Sequence, residues 1–143
     1  MDLYNATKEC FRQKGLRFFE DSFKDERIIK FGGDLQNGER TVNIISFRQF
    51  DIQIVISYIH LNNSYKKLEC LELINEFNNR FRYGKLYLDD SNNFICIIDI
   101  PVIPDNVNFF PDDDYIQSII TVIAIVYEAL EEYYPKFMKA QWS

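Results

Sequence analysis

Residues 111–134 read PDDDYIQSIITVIAIVYEALEEYY. From Ile116 to Leu130 apolar side chains return on nearly every side of a 3.6-residue turn, so a helix here needs cover around most of its circumference. One sheet buries one stripe of such a helix. A second surface, from another subunit or a client protein, is therefore expected over the rest. Ile119, Val122, Ile123, Val126, Tyr133 and Phe137 are the candidate protein-contact residues. Asp112 is placed to cap the helix, and Asp113 and Asp114 suit its positive end. Pro135 is expected to end or kink it.

The remainder reads as alternating helices and strands. Residues 2–14 have helical spacing, with Leu3, Ala6, Cys10 and Phe11 on one face and Gly15 as the stop. Residues 27–33, 40–47 and 51–60 read as strands, and Asn37-Gly38 between the first two is a strong hairpin signal. The segment 16–26 is open between a short strand and an extended lead-in. Residues 64–81 form a second helix, with Ser64 as its N-cap and Leu71, Ile74, Phe77 and Phe81 as its apolar stripe. Then come KLYLD, the turn DSNN and FICIIDIPV. The last strand is apolar on both faces, which predicts cover on both sides, and Pro101 and Pro104 stop it. Short links between strands imply an antiparallel sheet with helices packed on it. The fold class is α+β in the order αβββαββα.

At 143 residues the chain has the length of one domain, taken as 1–143. Its net charge is −6, and residues 86–135 hold ten acids and no lysine or arginine. Such a surface repels phosphate backbones, so nucleic acid is not an expected partner. It attracts basic protein segments, or simply keeps the surface solvated. Cys10, Cys70 and Cys96 are an odd, widely spaced set, which suits a reducing compartment better than a disulfide framework. The first fifteen residues are polar and carry no leader signal. IITVIAIV is too short to cross a bilayer. A cytoplasmic protein with no membrane contact is expected.

Catalytic patterns are sparse. His60 is the only histidine, and it stands at a strand end without a nucleophile or acid at a readable spacing. Asp89-Asp90-Ser91-Asn92-Asn93 resembles the start of a calcium loop, but Phe94 and Ile100 occupy the positions that need glycine and glutamate. Glu128 and Glu132 share one helix face beside Glu131, and two acids on a solvated helix face do not make an acid–base pair. No cofactor or metal site is expected, and the chain reads as a non-enzyme. Tyr58, Tyr83, Tyr87 and Tyr127 are candidates to line a pocket between the sheet and the last helix, or to pack in the core.

Certain segments resemble the YbjN-type family of bacterial proteins, whose fold is similar to that of type III secretion chaperones. The residues are Ile74-Asn75-Glu76-Phe77-Asn78, Tyr83-Gly84-Lys85-Leu86, Asp89-Asp90, Ile98-Asp99-Ile100-Pro101 and Tyr134-Pro135. The similarity spans residues 16–140 by element order. It implies an αβββαββα domain, often a homodimer, with no catalytic constellation. The implied function is a chaperone-like adaptor or regulator that binds a protein client with a basic or apolar segment. The alternatives are a dedicated secretion chaperone for one effector, and a small-ligand sensor or enzyme with a pocket between the sheet and the C-terminal helix.

Overall fold

A computed structural model describes residues 2–36, 39–102 and 113–142. Its elements in chain order are α1 (Leu3–Gln13), β1 (Phe19–Phe23), β2 (Glu26–Asp34), β3 (Arg40–Phe47), β4 (Asp51–His60), α2 (Lys67–Arg80), β5 (Lys85–Leu88), β6 (Asn93–Pro101) and α3 (Asp113–Trp142). The six strands form one antiparallel sheet in the order β1-β2-β3-β4-β6-β5. This is the α+β arrangement of helix, strands, helix, strands, helix that the sequence pattern predicts. Asn37-Gly38, Pro104, Asp112 and the Asp113 and Asp114 side chains lie outside the described residues. The strands that Asn37-Gly38 joins do pair as a hairpin, with Asp34 opposite Arg40.

Local chemistry sets the helix ends. Asp2 accepts the Asn5 amide at 2.8 Å and starts α1. At its end Gly15 has φ 70°, and the Gly15 and Leu16 amides bond the Arg12 and Phe11 carbonyls. That is the double closure a left-handed glycine permits. The buried line of α1 is Tyr4, Thr7 and Phe11; of the expected face Leu3, Ala6, Cys10 and Phe11, Phe11 is fully buried and the other three are half-buried. Before α2, Ser64–Lys66 form a 3-10 turn capped by Asn63, whose side chain accepts the Tyr65 amide at 3.2 Å, so Asn63 rather than Ser64 is the cap. Cys70, Ile74 and Phe77 are buried along α2, while Leu71 points outward.

The open segment 16–26 contains β1 and a tight turn. Phe23 pairs with Glu26, and the two residues between them, Lys24 and Asp25, have φ 49° and 67°. Two left-handed residues make the type I′ geometry that glycine and asparagine normally supply. Non-glycine residues are strained there. Asp25→Gly is therefore expected to stabilise the fold by about 0.5–1 kcal/mol, raising the urea midpoint. A lowered midpoint would mean that the Asp25 side chain contributes more than its backbone costs.

All three helices pack on one sheet face. Ile29, Ile45, Ile52, Ile54, Ile56, Tyr58, Phe94, Cys96 and Ile98 from that face join Phe11, Phe77, Leu130, Tyr133 and Phe137 in one buried cluster. α1 lies over the β1–β3 end, where Tyr4 meets Phe47 and Phe11 meets Phe31 edge to face. The α3 helix continues through Pro135 to Trp142. Proline removes the amide that would bond the Glu131 carbonyl. Beyond it, burial of Phe137 and Gln141 holds the last turns, with Gln141 accepting the Asn62 amide at 2.8 Å through its side chain and Asn63 Nδ2 at 2.9 Å through its carbonyl.

The other sheet face differs from expectation. β6 is apolar on both sides, yet among the described residues no helix covers its Ile95 and Ile97 side. Strand alternation there aligns Ile44, Val55 and Ile97 in one row and Val42, Ile95 and Tyr87 in the next. Ile95 is buried by its neighbours, whereas Val42 and Tyr87 are exposed. The β1 residues Phe19 and Phe23 also lie bare on this side, 73% and 61% exposed.

Candidate functional site: a trough along the last helix

α3 crosses the helical face of the sheet with α1 and α2 on its flanks. That wide cradle accounts for the apolar circumference. Ile116, Ile119, Ile123, Val126, Ala129, Leu130, Tyr133 and Phe137 are all buried within the chain itself. Tyr133 packs against Phe77 and Phe81, and Phe137 against Tyr58 and Phe94. Ile123, Tyr133 and Phe137 are therefore core residues, which corrects their reading as contact residues. A charge at Ile123 or Val126 would test folding rather than docking.

Ile119, Val122 and Val126 have a second aspect. They line two adjoining hollows on one flank of α3. The first, about 240 Å³, lies between Ile125, Val126 and Ala129 of α3 and the end of α2, with Phe77, Arg80, Phe81 and Gly84 opposite. The second, about 310 Å³, lies between Tyr115, Ser118, Ile119 and Val122 of α3 and Ile98–Pro101 of β6. Arg82 and Tyr83 line both, so the hollows form one trough. Its walls are mostly apolar, with Ile125 42% and Tyr83 52% exposed at the lip.

The trough exists because of a close approach. A Cβ on Gly84 would lie 2.8 Å from Cys96 Sγ and 3.0 Å from a Val126 methyl. Gly84 thus lets the Phe81–Lys85 segment come down onto β6 and α3. Asn78 fixes the same segment, accepting the Leu86 amide at 2.8 Å and donating to the Leu86 carbonyl at 2.9 Å. Lys85 Nζ bonds the Asn78 and Phe81 carbonyls at 2.7 and 2.9 Å, closing the α2 C-terminus.

Charges in the trough are unequally satisfied. Arg80 is held by Glu132 at 2.9 Å and lies over the Tyr133 ring. Asp99 is 3.7 Å from Arg48 and accepts from Gln53 at 3.2 Å. Among the described residues Arg82 has no ion pair or hydrogen bond. Sequence reasoning passed over it, because a single arginine in a loop has no periodicity to mark it.

The four tyrosines separate. Only Tyr83 lines the trough. Tyr58 is buried and donates its hydroxyl to the Leu130 carbonyl, and burial pushes its pKa far above that of an ordinary phenol. Tyr127 donates to Asn43 Oδ1 and lies 2.6 Å from Thr41 Oγ1. Burial raises its pKa while these two partners pull the other way. Tyr87 projects from the uncovered sheet face.

The other groups that draw attention are structural. Burial pushes the Cys96 thiol up to about 12 and raises Cys70, so both stay protonated at neutral pH. All three cysteines are free. His60 Nδ1 meets Asn93 Oδ1 at 2.9 Å beside a bulge in β4. Asp89 organises the β5–β6 turn by accepting the Ser91 and Asn93 amides at 2.9 and 2.8 Å. A wider hollow of about 510 Å³ between α2 and the end of α3 is lined by charges of both signs, and Lys136 pairs with Glu76 there at 3.6 Å. Among the described residues no three His, Cys, Asp or Glu side chains gather as a metal site, and no helix is long and apolar enough to cross a membrane. No protein-family model matches the chain, and no curated protein matches it.

Proposed function

We propose that the chain is a non-enzymatic protein-binding module, a chaperone-like adaptor of the kind its YbjN-type resemblance implies. The observation that carries this reading is the trough along α3, an apolar channel kept open between two well-packed walls. A client's apolar segment docks there by excluding water from Ile125, Val122 and Tyr83. The free cysteines fit a reducing cytoplasm.

A homodimer is the second part of the proposal, and the uncovered sheet face supports it. Five strand spacings of about 4.8 Å and six residues of strand give a face of roughly 24 by 20 Å. Two such faces bury on the order of 1,000 Å² together, the lower limit for a specific interface. A weak, concentration-dependent dimer follows, with the Val42, Ile44, Val55 and Ile97 band at its centre. A dedicated secretion chaperone is the narrower form of the same reading. The small-ligand reading draws on the same hollows, and thermal shifts with metabolites and nucleotides address it.

Sedimentation of the wild type between 1 and 200 µM, read with Val55→Asp and Ile125→Asp, tests both parts. Val55→Asp is expected to shift the dimer toward monomer, and Ile125→Asp to leave it unchanged while abolishing client capture. Wild-type client capture by Ile125→Asp would remove the trough from the proposal.

A further inference from the structure

The trough has a length, a lining and, among the described residues, one lining charge without a partner, and together these describe its occupant. From Tyr115 to Ala129 the lining follows α3 for fifteen residues, a rise of fourteen steps or about 21 Å at 1.5 Å per residue. An extended peptide of about six residues spans that distance. In such a segment alternate side chains point to one side, so every second residue faces the apolar wall of Val122, Ile125 and Val126. Arg82 stands where the two hollows meet, near the middle of the run.

We propose that the trough binds an extended segment with alternating apolar side chains and an acidic residue at its centre, held by Arg82. This rests on the reading of the trough as a docking site and adds the sign of its ligand. The net charge of −6 favours a basic client. At physiological salt, however, screening acts over about 8 Å, so charges lining the trough outweigh those on distant faces. Of those lining charges, Arg80 is spent on Glu132 and Asp99 on Arg48 and Gln53, which among the described residues leaves Arg82 to select. A guanidinium is suited to this, because its planar fork takes a carboxylate with two parallel bonds.

The test uses two fluorescein-labelled hexapeptides of alternating leucine and serine, one with a central glutamate and its twin with lysine there. Fluorescence anisotropy follows binding to wild type, Arg82→Glu and Ile125→Asp, each checked for folding by circular dichroism. The wild type is expected to prefer the glutamate peptide by up to about fivefold, the scale of one partly exposed charge pair. Arg82→Glu is expected to reverse the preference, and Ile125→Asp to weaken both peptides. If Ile125→Asp weakens both but the wild type prefers lysine, or Arg82→Glu leaves the ratio unchanged, docking stands and the acidic preference is overturned. If neither peptide binds the wild type below millimolar concentration, the docking reading falls with it.

Discussion

Phe137→Ala is expected to cost the fold about 3–5 kcal/mol, the range for emptying a buried aromatic site. That is a large part of the 5–15 kcal/mol that holds a typical domain together. Phe137 is fully buried, with its ring 5.1 Å from Phe94, 6.0 Å from Tyr58 and 6.3 Å from Tyr133. It joins the last turns of α3 to β4 and β6, and it stands two residues beyond Pro135, where the helix lacks a backbone bond. The cavity left by alanine cannot collapse easily, because β4 and β6 on its other side are tied into the sheet ladder. Loss should therefore exceed the transfer term alone and should free the C-terminal turn as well. Urea denaturation followed by tryptophan fluorescence reads both, since Trp142 is on that turn and is the only tryptophan. A midpoint within experimental error of wild type would return Phe137 to the surface role that the sequence pattern suggests.

That contrast shows where periodicity stops informing. Apolar spacing located every helix, because a helix declares itself by what repeats along it. It could not say which of Ile125 and Val126 turns inward. Neighbouring residues on a helix differ by about 100°, and an apolar circumference gives no angular reference. The reference comes from tertiary structure: the end of α2 and the Gly84 segment cover Val126 and leave Ile125 at the lip. β1 was obscure for a different reason. FEDSF buries no face, and its turn, Lys24-Asp25, has none of the glycine or asparagine that announces a type I′ hairpin. The trough was half legible. Ile119, Val122 and Val126 were candidates from apolar density, whereas Arg82 became visible only once its neighbours proved to be paired with others. Cover on both faces of β6 was expected from composition. What the strand has is one face under α3 and another partly shielded by adjacent side chains, a difference that composition does not encode.

Gly84→Ala is expected to destabilise the fold by about 1–3 kcal/mol, the usual cost of forcing a methyl into a close-packed site. Its Cβ would meet Cys96 Sγ at 2.8 Å and the two Val126 methyls at 3.0 and 3.2 Å. Both neighbours are buried, Cys96 on the central part of β6 and Val126 on α3, so neither can swing into solvent. Relief requires the Phe81–Lys85 segment to lift. Lifting would strain the paired Asn78–Leu86 bonds and the Lys85 closure of α2. The same movement would reshape the trough, because Phe81, Arg82 and Tyr83 travel with the segment. Val126→Ala in the same chain removes one of the two obstacles. The double variant should then lose less stability than the sum of the single ones, by about 0.5–1 kcal/mol or more, as expected for residues in direct contact. Strict additivity in thermal or urea unfolding would mean that the segment yields without touching α3. The close approach would then not be what sets the trough's width.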